Sequence, residues 1–325
     1  MTAPRVSVIL PTRNRAHLLP RAIRSVLGQS FPDWELLVVD NGSTDGTEVL
    51  VRHFQKQDAR ISYLAEAKRG LPRARNRGLK EAQGEWVAFL DDDDEWLPER
   101  LSRQITFLES HPEIGLLYSQ AHVKNAKGET IGLKPSAAPV FTFEELLERN
   151  SIPLPTVMVR RQCLEKVGGF DETLGFVEDY DLWLRISKEF PIDFLPETLA
   201  IYHFHGENLS LKWFELHQNS IRVFDKLLGI YRESSHVTKI ACRLVFLHYL
   251  LARGHIFVNE LSEARFHLRK SRALMRRHPF PGMKSLFLKS LLLSGFLGGG
   301  PVASGLLNLR WQHRESVYFS EIKTS

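Results

Sequence analysis

Along the first 120 residues, short runs of β-branched and other apolar residues alternate with segments whose apolar positions recur every three or four residues. An unbroken apolar run or a period of two marks a strand, and a period near 3.6 marks a helix packed by one face. Val6 to Leu10, Glu35 to Val39, Ile61 to Leu64 and Trp86 to Leu90 read as strands, and Leu18 to Leu27, Thr47 to Phe54 and Pro72 to Ala82 read as helices between them. This alternation predicts an α/β fold with a mostly parallel central sheet. In such sheets the loops at the carboxyl ends of the strands form the binding crevice. Three polar clusters fall there: Pro11-Thr12-Arg13-Asn14 after the first strand, Asp40-Asn41-Gly42-Ser43-Thr44-Asp45-Gly46 after the second, and Asp91 to Asp94 after the fourth.

From Leu211 onward helical patterns dominate, so the expected organisation is an α/β domain over residues 1–210 and a helical region over residues 211–325. Between Leu261 and Arg277, Leu261, Ala264, Leu268 and Met275 keep helical spacing while Arg265, Arg269, Arg272 and Arg276 recur beside them, giving a basic amphipathic helix. Leu291 to Leu309 is free of charge over 19 residues, but Gly298-Gly299-Gly300-Pro301 cuts it, which argues against a clean spanning helix.

Charge sharpens the division. The net charge of +5 splits into 25 Lys+Arg against 31 Asp+Glu over residues 1–210, and 18 against 7 over residues 211–325. The acidic part would repel nucleic acid, so the basic part is read against an anionic membrane surface, with a packed helical appendage as the alternative. With 43% hydrophobic residues the chain has material for a real core. Cys163 and Cys242 lie far apart and suggest neither a disulfide framework nor a zinc site. No secretory signal pattern opens the sequence, so the expected location is cytoplasmic, peripheral at the inner face of the cell membrane. No G-x-G-x-x-G follows the first strand and no G-K-[ST] is present, against dinucleotide and P-loop chemistry.

Four consecutive aspartates after a strand crowd negative charge, and like charges raise one another's pKa. A divalent cation removes that penalty, and hard oxygen ligands suit Mn²⁺ or Mg²⁺, which bind through one or two carboxylates plus phosphate oxygens. If the run is extended, Asp91 and Asp93 face one side and Asp92 and Asp94 the other. The alternative is an acidic turn that caps the helix beginning near Pro98.

Together Ser7 to Asn14, Val38 to Asp45, Ala74-Arg75-Asn76, Asp91-Asp92-Asp93 and Glu178 to Arg185 resemble, in order and spacing, the family 2 glycosyltransferases of GT-A fold, over about Val6 to Ser210. The resemblance implies an inverting transfer from a nucleotide-sugar donor, a UDP-sugar favoured, to a glycan or lipid-linked acceptor in surface polysaccharide synthesis. By resemblance Pro11, Thr12, Asn14, Asp40 and Asn41 hold the nucleotide, Arg75 lies near the diphosphate or ribose, and Asp92 faces the ribose. Asp93 becomes the principal metal ligand with Asp91 close by, His205 touches the metal or diphosphate, and Asp179 is the catalytic base. Two positions depart from the family pattern: Asn41, where many relatives have aspartate, and His203, where arginine is common. Each residue also has a plainer reading: an Asx turn at Asp40 to Asp45, a solvated helix face through Arg75, a helix cap at Asp179 and a structural histidine at His205. The competing functions are a sugar nucleotidyltransferase, which lacks its glycine-rich triphosphate loop here, and a non-catalytic sugar or nucleotide binder.

Overall fold

The computed structural model describes residues 3–279. The charge-free run from Leu291 to Leu309 therefore lies outside the described residues. Nine strands are described: β1 (Val6–Thr12), β2 (Trp34–Asp40), β3 (Ile61–Ala65), β4 (Trp86–Phe89), β5 (Glu95–Trp96), β6 (Leu116–Lys124), β7 (Thr130–Lys134), β8 (Met158–Arg160) and β9 (Ile192–His203). The helices are α1 (Leu19–Leu27), α2 (Thr47–Gln57), α3 (Leu71–Glu81), α4 (Arg100–Ser110), α5 (Phe143–Glu148), α6 (Arg161–Val167), α7 (Glu178–Glu189), α8 (Trp213–Ile230), α9 (Val237–Phe257) and α10 (Leu261–Arg277).

All strands join one sheet in the order β3-β2-β1-β4-β8-β6-β9-β5, with β7 pairing β6 at the side. The half built from β1 to β4 is parallel, as the alternating pattern predicts. The other half is mixed: β8 runs antiparallel to β4 and β6, β7 antiparallel to β6, β5 antiparallel to β9, and only β6 and β9 are parallel.

β1 is buried along its whole length, which is why its sequence is continuously apolar rather than alternating. On one face Val8, Leu10, Leu36, Val38 and Ala88 pack with Ala22, Ile23 and Val26 of α1 and with Val51 and Phe54 of α2. On the other, Phe89 meets Phe170 edge-on at 5.2 Å and Trp183 of α7 at 6.2 Å. Gly78 of α3 lies so close to β1 that a Cβ there would stand 2.7 Å from Ile9 Cγ2. That close approach holds Arg75, one turn earlier on the same helix, near the sheet's carboxyl edge.

Pro11 sits inside β1 without loss. The Ile9 carbonyl accepts from Leu90 N at 3.1 Å, so Ile9, and by alternation Pro11, faces the β4 side, where the β4 pairing has already ended. The missing N–H has no ladder partner to lose.

Two compact units divide at Val223/Phe224, inside α8 rather than at the 210/211 boundary expected from the loss of alternation. The second unit contains α9 and α10, which pack through Ala252, Ala264 and Leu268 with Tyr249 and Ile256 around them. α9 is the one described helix long and apolar enough to cross a membrane, with a mean hydropathy of 1.3, but 61% of that stretch is buried, as in a core helix. On α10, Ala264, Leu268 and Met275 are buried and Arg265, Arg269 and Arg276 exposed, whereas Leu261 remains 37% exposed in the first turn.

Candidate active site

The ends of β2, β1 and β4 lie side by side, since Thr12 pairs with Asp40 and Ile9 with Phe89. The three polar clusters consequently meet at one edge. Asn14 takes a left-handed backbone, φ 52°, which asparagine tolerates better than most residues. Its Oδ1 accepts from Thr44 N at 2.7 Å and its own N–H donates to Ser43 Oγ at 2.9 Å, so the first loop is stitched to the second.

Asp40 closes an Asx turn, accepting from Ser43 N at 2.8 Å, and also accepts from the Tyr63 hydroxyl at 2.9 Å. Asn41 has its amide fully engaged: Nδ2 donates to the carbonyls of Lys68 at 2.9 Å and Glu66 at 3.3 Å, and Oδ1 accepts from Gly70 N at 2.8 Å. Position 41 thus latches the loop that leads into α3. Pro11 is buried in the sheet and offers only its carbonyl as a polar group.

The aspartate run is not extended. Asp94 N donates to Asp91 O at 3.1 Å, closing a turn, and strict alternation of the four side chains is lost. Asp92 points back to β1, accepting from Thr12 Oγ1 at 2.8 Å and from Arg15 Nη1 at 2.9 Å. Burial is the main cause that lifts its carboxyl to about 6, with Asp93 adding to the rise and Arg15 opposing it. Asp91, Asp93 and Asp94 instead each offer one oxygen, and these three oxygens lie within 4.8 Å of one another. The run does not cap the next helix, whose N-cap is Glu99 without a side-chain bond.

Arginines offset part of this charge. Arg15 Nη1 also reaches Asp93 Oδ2 at 2.8 Å, Arg21 donates to the Asp93 carbonyl, and Arg75 Nη2 donates to Asp91 Oδ1 at 2.7 Å. Among the described residues Asp94 receives no such cation bond. It is fully buried, its Oδ1 accepts from His203 N at 3.0 Å, and its Oδ2 has no hydrogen-bond partner. Burial and then the neighbouring Asp93 and Asp91 hold its carboxyl well above the usual carboxylate range. A buried orphan oxygen beside two further carboxylates fits a hard divalent ion, so the residues present suit the metal expected here. His205 stands next to this trio, Nε2 3.2 Å from Asp93 Oδ2, with its backbone N–H bonded to Asn208 Oδ1.

Asp179 lies in the first turn of α7, whose N-cap is Val177, so it is not the cap. It accepts from its neighbour Tyr180 N at 2.6 Å. Burial, followed by the adjacent Glu178 carboxylate, pushes its carboxyl up to about 7 against the lowering pull of Arg75. Arg75 is the physical link: one guanidinium bonds Glu178 and Asp91, joining the carboxylate pair at the start of α7 to the acidic turn. It is buried in the site, not on a solvated helix face.

Sequence reasoning missed Arg15, Arg21 and Tyr63, and named Glu178 and Asp94 within their motifs without giving either a role of its own. Arg15 directly follows the Thr12 to Asn14 cluster and Glu178 precedes Asp179, so adjacency was a usable signal. Tyr63 carries none, because its role depends on strand pairing.

A sheet parallel in one half and mixed in the other, with polar loops, an acidic turn and a buried carboxylate pair on a following helix brought to its edge, matches the GT-A architecture. Residues 7–162 match the family described as glycosyl transferase family 2. A putative teichuronic acid biosynthesis glycosyltransferase of Bacillus subtilis is 30% identical over 249 residues, 76% of this chain and 94% of the relative. The UDP-Glc:alpha-D-GlcNAc-diphosphoundecaprenol beta-1,3-glucosyltransferase of Escherichia coli is 37% identical over 185 residues, 57% of this chain and 70% of the relative. Among solved structures, S. aureus TarS 1-349 with UDP-GlcNAc matches at a TM-score of 0.67 and 21% identity, covering 90% of each chain. A mannosyltransferase of Pyrobaculum calidifontis with GDP-Man and Mn2+ matches at 0.58 and 21%, covering 90% of this chain and 81% of the other. The chain belongs to glycosyl transferase family 2.

Proposed function

We propose that this glycosyltransferase moves a sugar from a UDP-sugar to a hydroxyl of a surface-glycan acceptor, lipid-linked in character, with inversion at the anomeric carbon. The relatives' named roles in teichuronic acid synthesis and on a diphosphoundecaprenol acceptor support the acceptor class, and the UDP-GlcNAc complex of a structural neighbour supports the donor. The observation that carries the chemistry is the Asp179 carboxyl, raised to about 7 and tied through Glu178 and Arg75 to Asp91.

Asp179 takes the proton of the acceptor hydroxyl as that oxygen forms a bond to the anomeric carbon, and the carbon–oxygen bond to the nucleoside diphosphate breaks. Asp91, Asp93 and Asp94, with His205 alongside, would hold Mn²⁺ or Mg²⁺, which would supply Lewis-acid stabilisation of the negative charge on a diphosphate. Thr12, Asn14, Asp40 and Asn41 line the nucleotide side, Pro11 contributes backbone, Asp92 meets the ribose, and Arg75 holds Asp91 and Glu178 in place. The test is a panel of nucleotide sugars scored by thermal shift with and without Mn²⁺, followed by nucleoside diphosphate release by wild type and Asp179→Asn. Donor binding retained and transfer lost in the variant is the expected pair of results; full turnover by the variant rejects Asp179 as base.

For the region beyond α8, the same reading adds peripheral attachment to anionic membrane from the cytoplasmic side. What supports it is the outward face of α10, where Arg269, Lys270, Arg276 and Arg277 are exposed and Phe266, beneath Lys270, is 41% exposed. Flotation with phosphatidylglycerol vesicles that is unchanged in Arg269→Glu/Arg276→Glu discards this attachment.

A further inference from the structure

β7 carries a lysine to the site that the donor chemistry does not use. Lys134 is the last residue of β7 and pairs with Ala121 of β6, while Tyr202 of the neighbouring β9 pairs with Val123. This register sets the Lys134 Nζ over the Tyr202 ring, 3.2 Å from its centroid, in a cation–π contact. One residue further along β9, His203 N holds Asp94. The ammonium thus lies in the field of both Asp94 and Asp179, whose charges favour its protonated form, while burial pushes it down to about 8.

Lys134 is half-buried, and among the described residues its three N–H donors reach no oxygen by hydrogen bond or ion pair. An ammonium drawn partly out of water without an acceptor oxygen carries a desolvation cost that an anionic oxygen would offset. The donor side is already furnished with Arg15 and Arg75, from the loops and helix beside β1 and β2. Lys134 arrives from the other half of the sheet, on the hairpin off β6, and shares its field with the residue assigned to the acceptor hydroxyl.

We propose that the Lys134 ammonium binds the phosphate or diphosphate that joins the accepting sugar to its carrier, and so makes this enzyme selective for phosphate-linked acceptors. The inference rests on the reading of Asp179 as the base that meets the acceptor. Lys134 is here a specificity-determining residue and not a participant in bond making.

Two acceptor probes separate the possibilities, with UDP-glucose as donor: N-acetylglucosamine joined through a diphosphate to a phenoxyundecyl chain, and the uncharged undecyl glycoside of the same sugar. Wild type is expected to prefer the charged probe. In Lys134→Met, kcat/KM for that probe falls by about 10- to 100-fold, through KM, as for loss of a hydrogen bond to a charged group. The uncharged probe, the KM for UDP-glucose and its slow hydrolysis by water stay unchanged, and Lys134→Arg keeps most of the preference. An equal loss on both probes assigns Lys134 a structural role beside Asp94, and a raised KM for UDP-glucose assigns it to the donor; either overturns the proposal. So does rejection of both probes by an enzyme that binds UDP-glucose. Failure of the wild type to bind UDP-glucose overturns the donor reading first, and is read separately by thermal shift.

Discussion

Arg75 of α3 and Glu178 of α7, 103 residues apart in sequence, form a buried ion pair at the floor of the site, and the same guanidinium holds Asp91. Arg75 and Glu178 are each only 3% exposed. Removing the cation leaves two carboxylates facing each other without compensation, so Arg75→Met is expected to destabilise the protein by ~3–5 kcal/mol, read from urea denaturation at pH 7.5. An unchanged midpoint would show that the carboxylates find other partners.

Asp179 predicts opposite pH effects on activity and stability. A base must be ionised, so kcat at saturating substrates falls as pH drops through about 7. The folded protein retains this proton at pH values where an unfolded aspartate has lost it. Stability therefore decreases as pH rises from the ordinary aspartate value of 3.8 towards about 7, and stays reduced above that. Asp179→Asn should consequently melt at a higher temperature than wild type at pH 8 while being inactive. A lower melting temperature for the variant at that pH contradicts the raised carboxyl.

Asp94 yields a metal prediction with an internal control. With its Oδ2 unpartnered, Asp94→Asn should stabilise the metal-free protein and abolish the rise in melting temperature expected of the wild type when Mn²⁺ is added. The same Mn²⁺ shift in wild type, Asp93→Asn and Asp94→Asn would locate the ion elsewhere.

How much of this was legible beforehand follows from the kind of order each half of the sheet has. β1 to β4 are separated by helices of full length, so unbroken apolar runs give way to a period of 3.6 and return, and the pattern can be read. β5 has two residues and β8 three, too short to show any period. Those two strands of the mixed half were invisible for that reason. At the site, residues on strand-end loops were legible because position alone recommends them. The turn at Asp91 to Asp94 could not be told from an extended run, since a run of aspartates carries no period to say which way each side chain points.

The second unit offers a separate titration. His248 Nδ1 and His267 Nδ1 are 2.8 Å apart, both residues are 6% exposed, and His255 stacks on His267 at 5.4 Å. Burial first, with His267 and Lys270 adding to it, pushes His248 down to about 3; burial and then His255 push His267 down to about 4. Unfolded histidines take up protons near 6.5, so the stabilisation is whole above that pH and is lost as pH falls from 6.5 towards 4. Thermal melts followed by circular dichroism across that window should show a falling helical transition in wild type and a flatter one in His267→Gln. Parallel pH profiles would reject the assignment.

The two-residue β5 lends its consequence to the whole catalytic edge. Glu95 pairs with Ile201, and two residues on, His203 grips Asp94 through its backbone, so the strand that supports Tyr202 and the corner that gathers three acidic oxygens are bolted to one another. A shift of one drags the other along. Remodelling the pocket for a different incoming sugar by sliding β9 would loosen the cation cradle at the same stroke, whereas changes confined to the tip of the β6–β7 hairpin, which carries no such bolt, leave the cradle as it was.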